Sequence, residues 1–169
     1  MTDPHPHEAG YRARLVRFLQ AEYGFRPDSL HPAPRGFFAE TWRLTTTDQT
    51  YFVKVDHSPT HQRHFRDGLR VLKILCDKVI DFVPPIILTR DGREHARFDD
   101  AVIGVLGWCE GELTESDQTK AMEYAMLARV YSTPLPDLTL QRAEFSDRSA
   151  RTVRALAAHV TDPTIADLL

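Results

Sequence analysis

Lys54 is the cation most firmly placed by its neighbours. It stands between Val53 and Val55 in the run Tyr51-Phe52-Val53-Lys54-Val55, whose β-branched and aromatic residues predict a strand. A lysine there is either a fixed positive charge on a rigid element or, more commonly, a solvent-facing residue. Three histidines follow, His57, His61 and His64. Their i, i+4, i+7 spacing is one that can bind zinc on a helix, but no cysteine lies near and His57 falls outside the expected helix start, so a solvated face is the expectation. Glu110, Glu112, Glu115 and Asp117 form an acidic run. It would attract a polycationic substrate, or complement the dipole of a helix beginning there, and the second use is the commoner. Cys76 and Cys109 have no metal-ligand spacing and read as small buried hydrophobes. Trp42 and Trp108 could stack on a base, although packing is the usual role.

These residues need elements to hold them. An amphipathic helix is expected from about His7 to Tyr23, with Tyr11, Leu15, Phe18 and Leu19 on one face and Gly24 as its stop. The proline-rich stretch from His31 to Gly36 allows only a short, interrupted edge strand. Residues 41–44 and 51–55 read as two antiparallel strands joined at Thr46-Thr47-Asp48-Gln49. A second helix, capped by Ser58 or Thr60, carries Phe65, Leu69, Leu72, Leu75 and Val79 as its apolar stripe to about Ile80, with Gly68 in its interior. Pro84-Pro85 ends helix formation, Ile86 to Thr89 reads as a strand, and Asp91-Gly92 predicts a hairpin returning through Arg93 to Phe98. Ala101 to Leu106 is a further apolar strand. After Gly107-Trp108-Cys109-Glu110-Gly111 the pattern turns helical, from Thr114 or Ser116 to about Tyr131 and again from about Ser146 to Val160.

The order predicts an α+β protein: an antiparallel sheet with a packed helix over residues 1–106, a connector at 107–111, and an all-helical part from 112 onward. The chain's 169 residues, 42% apolar and 27% charged, suffice for a buried core and exclude collagen-like and charge-driven disordered classes. A formal charge of −3 disfavours a broad nucleic-acid surface. The apolar runs are too short to span a bilayer and the start lacks the features of a secretory signal, so a cytoplasmic protein without a nucleic-acid or membrane partner is expected.

The segments RGFFAETWRLTTTDQTYFVKV, HFRDGLRVLKIL, VPPIILTRDGR, VIGVLGWCEGE and LARVYSTPLP, in that order, resemble the aminoglycoside phosphotransferase and choline kinase-like family of small-molecule kinases. The resemblance covers roughly Ser29 to Pro136 and is spread along the chain. It implies a protein kinase-like amino-terminal lobe, a hinge at 107–111 and the start of a helical lobe. It also implies a phosphate loop from Arg35 to Thr41, including Gly36 and Phe37, and a phosphate-binding Lys54. The Gly107 carbonyl and Cys109 amide would hold adenine, Leu106 would gate the pocket, and Val53 and Ile86 would line it. The implied cofactors are ATP and magnesium, and the implied partner is a small-molecule hydroxyl acceptor. Phosphoryl transfer needs fixed positive charge on a polyphosphate, which a strand lysine supplies.

The departures from that pattern are specific. The loop has a single glycine followed by Phe37-Phe38, and Val130-Tyr131 stands where the family often has leucine-histidine. The glutamate that orients the strand lysine in kinases aligns with Gly68, leaving neighbouring Asp67 and the more distant Glu40 as alternative partners. Kinase catalysis uses an aspartate base and an asparagine ligand to magnesium. The chain has no asparagine, and no histidine is followed two residues later by aspartate. These residues therefore predict a nucleotide-binding part that is inactive alone, or a non-catalytic regulatory module. A face left open for a missing half could also pair two copies.

Overall fold

The computed structural model describes residues 10–34, 39–78, 80–111 and 116–136. The chain divides into two compact units, Met1–Thr139 and Leu140–Leu169, the second lying wholly outside the described residues. The division falls well beyond the glycine-flanked connector at 107–111, which belongs to the first unit.

The first unit is α+β. Helix α1 (Tyr11–Tyr23) precedes strands β1 (Pro27–Pro32), β2 (Glu40–Thr46) and β3 (Thr50–Asp56). Helix α2 (Gln62–Asp77) follows, then β4 (Ile86–Ile87), β5 (Ala96–Phe98), β6 (Ala101–Gly107) and helix α3 (Asp117–Ser132). The strands form one antiparallel sheet in the order β1-β2-β3-β6-β4, with β5 also on β6.

Helix α1 buries Tyr11, Leu15, Leu19 and Tyr23, a spacing of four that puts all of them on one side. Gly24 ends it at φ 76°, a left-handed conformation that suits glycine, with its N–H donating to the Gln20 carbonyl. The histidine segment does not begin α2 as expected: His61 is the cap residue and neither Ser58 nor Thr60 makes a side-chain cap. Instead the Asp56 carboxylate, fully buried, accepts from the Ser58 N–H at 2.9 Å and pairs with His61.

The Asp91-Gly92 turn forms, closed by Thr89 N–H to the Arg93 carbonyl at 2.9 Å and with Gly92 at φ 82°. The expected hairpin does not. Strands β4 and β5 are short and lie end to end along the free edge of β6, Ile87 opposite Val105 and Ala96 opposite Ile103. Helix α3 has a reciprocal cap, in which Ser116 accepts from the Thr119 N–H and Thr119 accepts from the Ser116 N–H. The expected helix from Ser146 to Val160 lies outside the described residues.

Candidate functional site

The pairing register sorts the sheet into two faces, because side chains alternate along each strand and directly opposed residues share a side. One face carries Leu30, Trp42, Leu44, Val53, Val55, Ile103 and Val105, all packed with α1 in the main core. The other carries two cross-sheet rows. Arg43, Phe52, Leu106 and Ile86 are opposed in sequence across β2, β3, β6 and β4. In the next row Thr41, Lys54 and Gly104 are opposed across β2, β3 and β6. This second face meets α2 through a small cluster of Phe65, Leu69 and Val102, with Ile86 and Leu106 against it.

Lys54 is half-buried and flanked by the two smallest side chains of its rows. Its Nζ lies 5.3 Å from the centroid of the Phe65 ring. Gly104 makes that proximity possible. A Cβ there would stand 2.6 Å from Leu69 Cδ1 and 3.1 Å from Phe65 Cζ, so the glycine lets Leu69 and Phe65 of α2 lie directly over β6 as they do. Thr41, opposite Lys54, is buried, and its hydroxyl lies 2.8 Å from the Pro34 carbonyl and 3.1 Å from that of Ala33. The Ala33 N–H donates to the Thr41 carbonyl at 2.9 Å. Both ends of the β1–β2 connection are thus held beside Lys54. Arg35, Gly36 and Phe37, the expected loop residues between them, lie outside the described residues.

At the other end of the face the connector begins. Gly107 donates its N–H to the Pro85 carbonyl at 2.8 Å, and Trp108 donates its own to Thr50 at 3.2 Å. A Cβ at Gly107 would meet Pro85 Cγ at 2.7 Å. The Cys109 N–H has no hydrogen-bond partner among the described residues, and the side chain is exposed rather than buried as expected; Cys76 is half-buried. Trp108 lies against the row above Lys54, with Phe52 at 6.1 Å between ring centroids and the Arg43 guanidinium 4.8 Å over its ring. Arg43 also meets the exposed Glu110 at 3.4 Å.

Three sequence expectations for this site fail on geometry. Val53 is completely buried in the α1-side core, so it cannot line a pocket with Lys54, its neighbour on an alternating strand. Glu40 is on that same α1 side, where it accepts from Tyr11 Oη at 3.1 Å and from Trp42 Nε1, and meets His57 Nε2 at 3.3 Å. It is not available to Lys54. Asp67 makes no ion pair with Lys54 among the described residues, and its Oδ2 is buried without a partner. Conversely, Phe52, Arg43 and Phe65 share the lysine's face and were not anticipated. Strand alternation held the signal for Phe52, two residues before Lys54, and opposition to Phe52 then brings in Arg43.

The histidines do not converge on a metal. His61 pairs with Asp56, and His57 lies between Glu40 and Asp100, 3.6 Å from the latter. Among the described residues no three His, Cys, Asp or Glu side chains gather to hold an ion. The Glu40 hydrogen bond raises the pKa of His57; burial, the next largest influence, opposes it, and the Glu40 charge together with the Asp100 hydrogen bond and charge adds to the rise. Burial first, then Glu40, raises that of Tyr11. An open cleft of about 450 Å³ lined by Gly24, Phe25, Arg26, Asp48 and Tyr51 lies at the end of α1, on the side away from Lys54. It shares no residue with the lysine rows.

No protein-family model matches the sequence, and no curated protein matches it significantly. Solved structures do match the fold. Spectinomycin phosphotransferase APH(9)-Ia in complex with ADP and spectinomycin superposes with a TM-score of 0.65 at 15% identity, covering 87% of this chain and 46% of that one. Its AMP-bound complex gives 0.60 at 14% identity, covering 89% and 47%. Amicoumacin kinase hAmiN with AMP-PNP, Ca2+ and Ami gives 0.60 at 16% identity, covering 88% and 50%. The chain therefore has a kinase-like α+β fold similar to that of antibiotic phosphotransferases, and spans about half the length of the structures it matches. No helix among the described residues is long and apolar enough to cross a membrane.

Proposed function

We propose that this chain is the nucleotide-binding part of an ATP-dependent phosphotransferase acting on a small-molecule hydroxyl. The observation that carries the reading is the position of Lys54: it stands on the sheet face opposite the packed core, with both ends of the β1–β2 connection fastened next to it through Thr41. In this reading the Lys54 ammonium binds the α- and β-phosphates, and Arg35, Gly36 and Phe37 with Thr41 close over them. The adenine edge is read by the Gly107 carbonyl and the Cys109 N–H, which has no partner among the described residues. Phe52, Leu106 and Ile86 offer it an apolar surface. The kinship of fold with proteins crystallised with ADP, AMP and AMP-PNP supports a purine nucleotide as ligand.

The chemistry divides between what these residues hold and what they lack. A strand lysine and backbone donors can bind and orient a polyphosphate, and magnesium would neutralise its remaining charge. The described residues supply no three-ligand group for magnesium, and the sequence has no asparagine to serve in the kinase manner. In this reading the 169 residues bind nucleotide without transferring phosphate, and the hinge at 107–111 leads from the nucleotide lobe toward α3.

Thermal unfolding with and without magnesium–ATP tests the reading. A rise in Tm with ATP that vanishes in Lys54→Ala, with no ADP released over hours, is the expected result. An ATP-induced shift that survives Lys54→Ala would overturn the assignment of the lysine. Absence of any shift in the parent protein would favour a non-catalytic module that uses the same fold.

A further inference from the structure

On the reading of Lys54 as a phosphate ligand, we infer that the ring of Phe65, in place of a carboxylate, is the group that positions the Lys54 ammonium. Among the described residues none of the acids on the relevant elements pairs with Lys54, and two of them are held by other groups. Glu40 points to the α1 side and is held by Tyr11, Trp42 and His57. Asp56, on the lysine's own strand and face, pairs with His61 and caps the Ser58 N–H. Asp67 makes no ion pair with Lys54 among the described residues. Gly68, aligned with the kinase glutamate, has no side chain, and a Cβ there would meet nothing within 4 Å.

What Lys54 does have is an aromatic face. Phe65 Cζ is held against the sheet by the missing side chain of Gly104, and Phe65 and Leu69, one turn apart on α2, pack with Val102. The ring is 8% exposed, so it cannot swing away without breaking that cluster. A ring face attracts an ammonium through its quadrupole and orients it without cancelling its charge. A carboxylate would orient it too, but would also compete with the incoming phosphate. Phe65 is therefore a positioning residue that keeps the full positive charge of Lys54 for the ligand.

Stepwise fluorination of the phenylalanine at position 65, which drains the ring face while preserving its shape, separates this role from packing; Phe65→Leu is the second variant. Two readouts are taken on the full chain. In the ligand-free protein the Lys54 side-chain methylene resonances should be shifted upfield by the ring current, and Phe65→Leu should abolish that shift. In titrations, ATP affinity should fall with each fluorine, by roughly three- to tenfold for the most fluorinated ring, while adenosine affinity stays constant. Unshifted Lys54 resonances, or ATP affinity indifferent to fluorination, would overturn the inference. If the parent binds no ATP while the ring-dependent shift of Lys54 is present, the nucleotide reading fails and the placement of the lysine by Phe65 stands.

Discussion

The two faces of the sheet are built to different standards. On the α1 side fourteen of the described residues are buried in one continuous core, four from α1 itself and ten from the strands, and six of those ten, along β2, β3 and β6, are wholly inaccessible. Against α2 the core is three residues, Phe65, Leu69 and Val102, with Ile86 and Leu106 at its border. The same strands supply both, since alternation sends Val53 and Val55 one way and Phe52 and Lys54 the other. The contrast indicates a division of labour. Burial on the α1 side, at about 25 cal/mol per Å² of apolar area, supplies most of the fold's stability. This leaves the α2 side free to present cations, glycines and half-exposed rings, none of which fills a core well. A lysine set on the densely packed face would lose its hydration with nothing in return.

Core truncation should break the comparison most sharply. Leu15→Ala, at a position with no exposure, is expected to cost toward the upper end of the ~2–5 kcal/mol range for buried leucines. Leu69→Ala, in the thinner cluster where neighbours and water can move in, should cost toward the lower end. Chemical denaturation of both variants checks this, and equal losses would mean that α2 contributes as much to the core as α1.

A smaller but more local effect is expected from Gly104→Ala. The new methyl would stand 2.6 Å from Leu69 Cδ1, so either the leucine changes rotamer or α2 rides up from β6. Overpacking of this kind costs about 1–3 kcal/mol. Because Phe65 moves with α2, the variant should also lose the ring-current shift of Lys54, which Leu15→Ala should not. Loss of stability with Lys54 unperturbed would show that the helix absorbs the strain without displacing its ring.

The difference between the faces was only half legible beforehand. Helices α1 and α2, the β2–β3 hairpin and β6 follow from period and turn chemistry, and the Lys54 strand is plain from Tyr51 to Val55. What misled was the step from strand to face. Val53 is the more pocket-like residue by type, yet a period of two puts Phe52, not Val53, beside Lys54. Glu40 failed for the same reason, one residue removed from Thr41. The β4–β5 hairpin was misjudged because Asp91-Gly92 specifies a turn but not what its arms pair with; β6 is long enough to accept both. Phe65 as a neighbour of Lys54 depends on how α2 packs on the sheet, where its side chain lies over Gly104, some forty positions away in the chain. Contacts of that range leave little local trace.

The smallest expected effect concerns a polar seam on the α1 side, where His57 ties β3 to β2 and to the β5–β6 turn. The ring faces Glu40, Asp100 and the Tyr11 hydroxyl, the last at 3.4 Å. Because its folded pKa is raised, chiefly by the Glu40 hydrogen bond, the folded state holds a proton that the unfolded chain gives up near pH 6.5. The stability this contributes is fully present below pH 6.5 and is lost as pH climbs through the raised value. The stability gap between the parent and His57→Gln should therefore narrow as pH rises above 6.5. His95 does not confuse the measurement: burial, then Arg66, lowers its pKa, so its contribution is lost on the acid side, as pH falls from 6.5. Equilibrium unfolding of both proteins from pH 5 to 9 reads the two windows separately. A gap that stays constant across the alkaline window would mean that Glu40 holds His57 by geometry alone, and that the charged half of this seam adds nothing to the face that already does most of the folding.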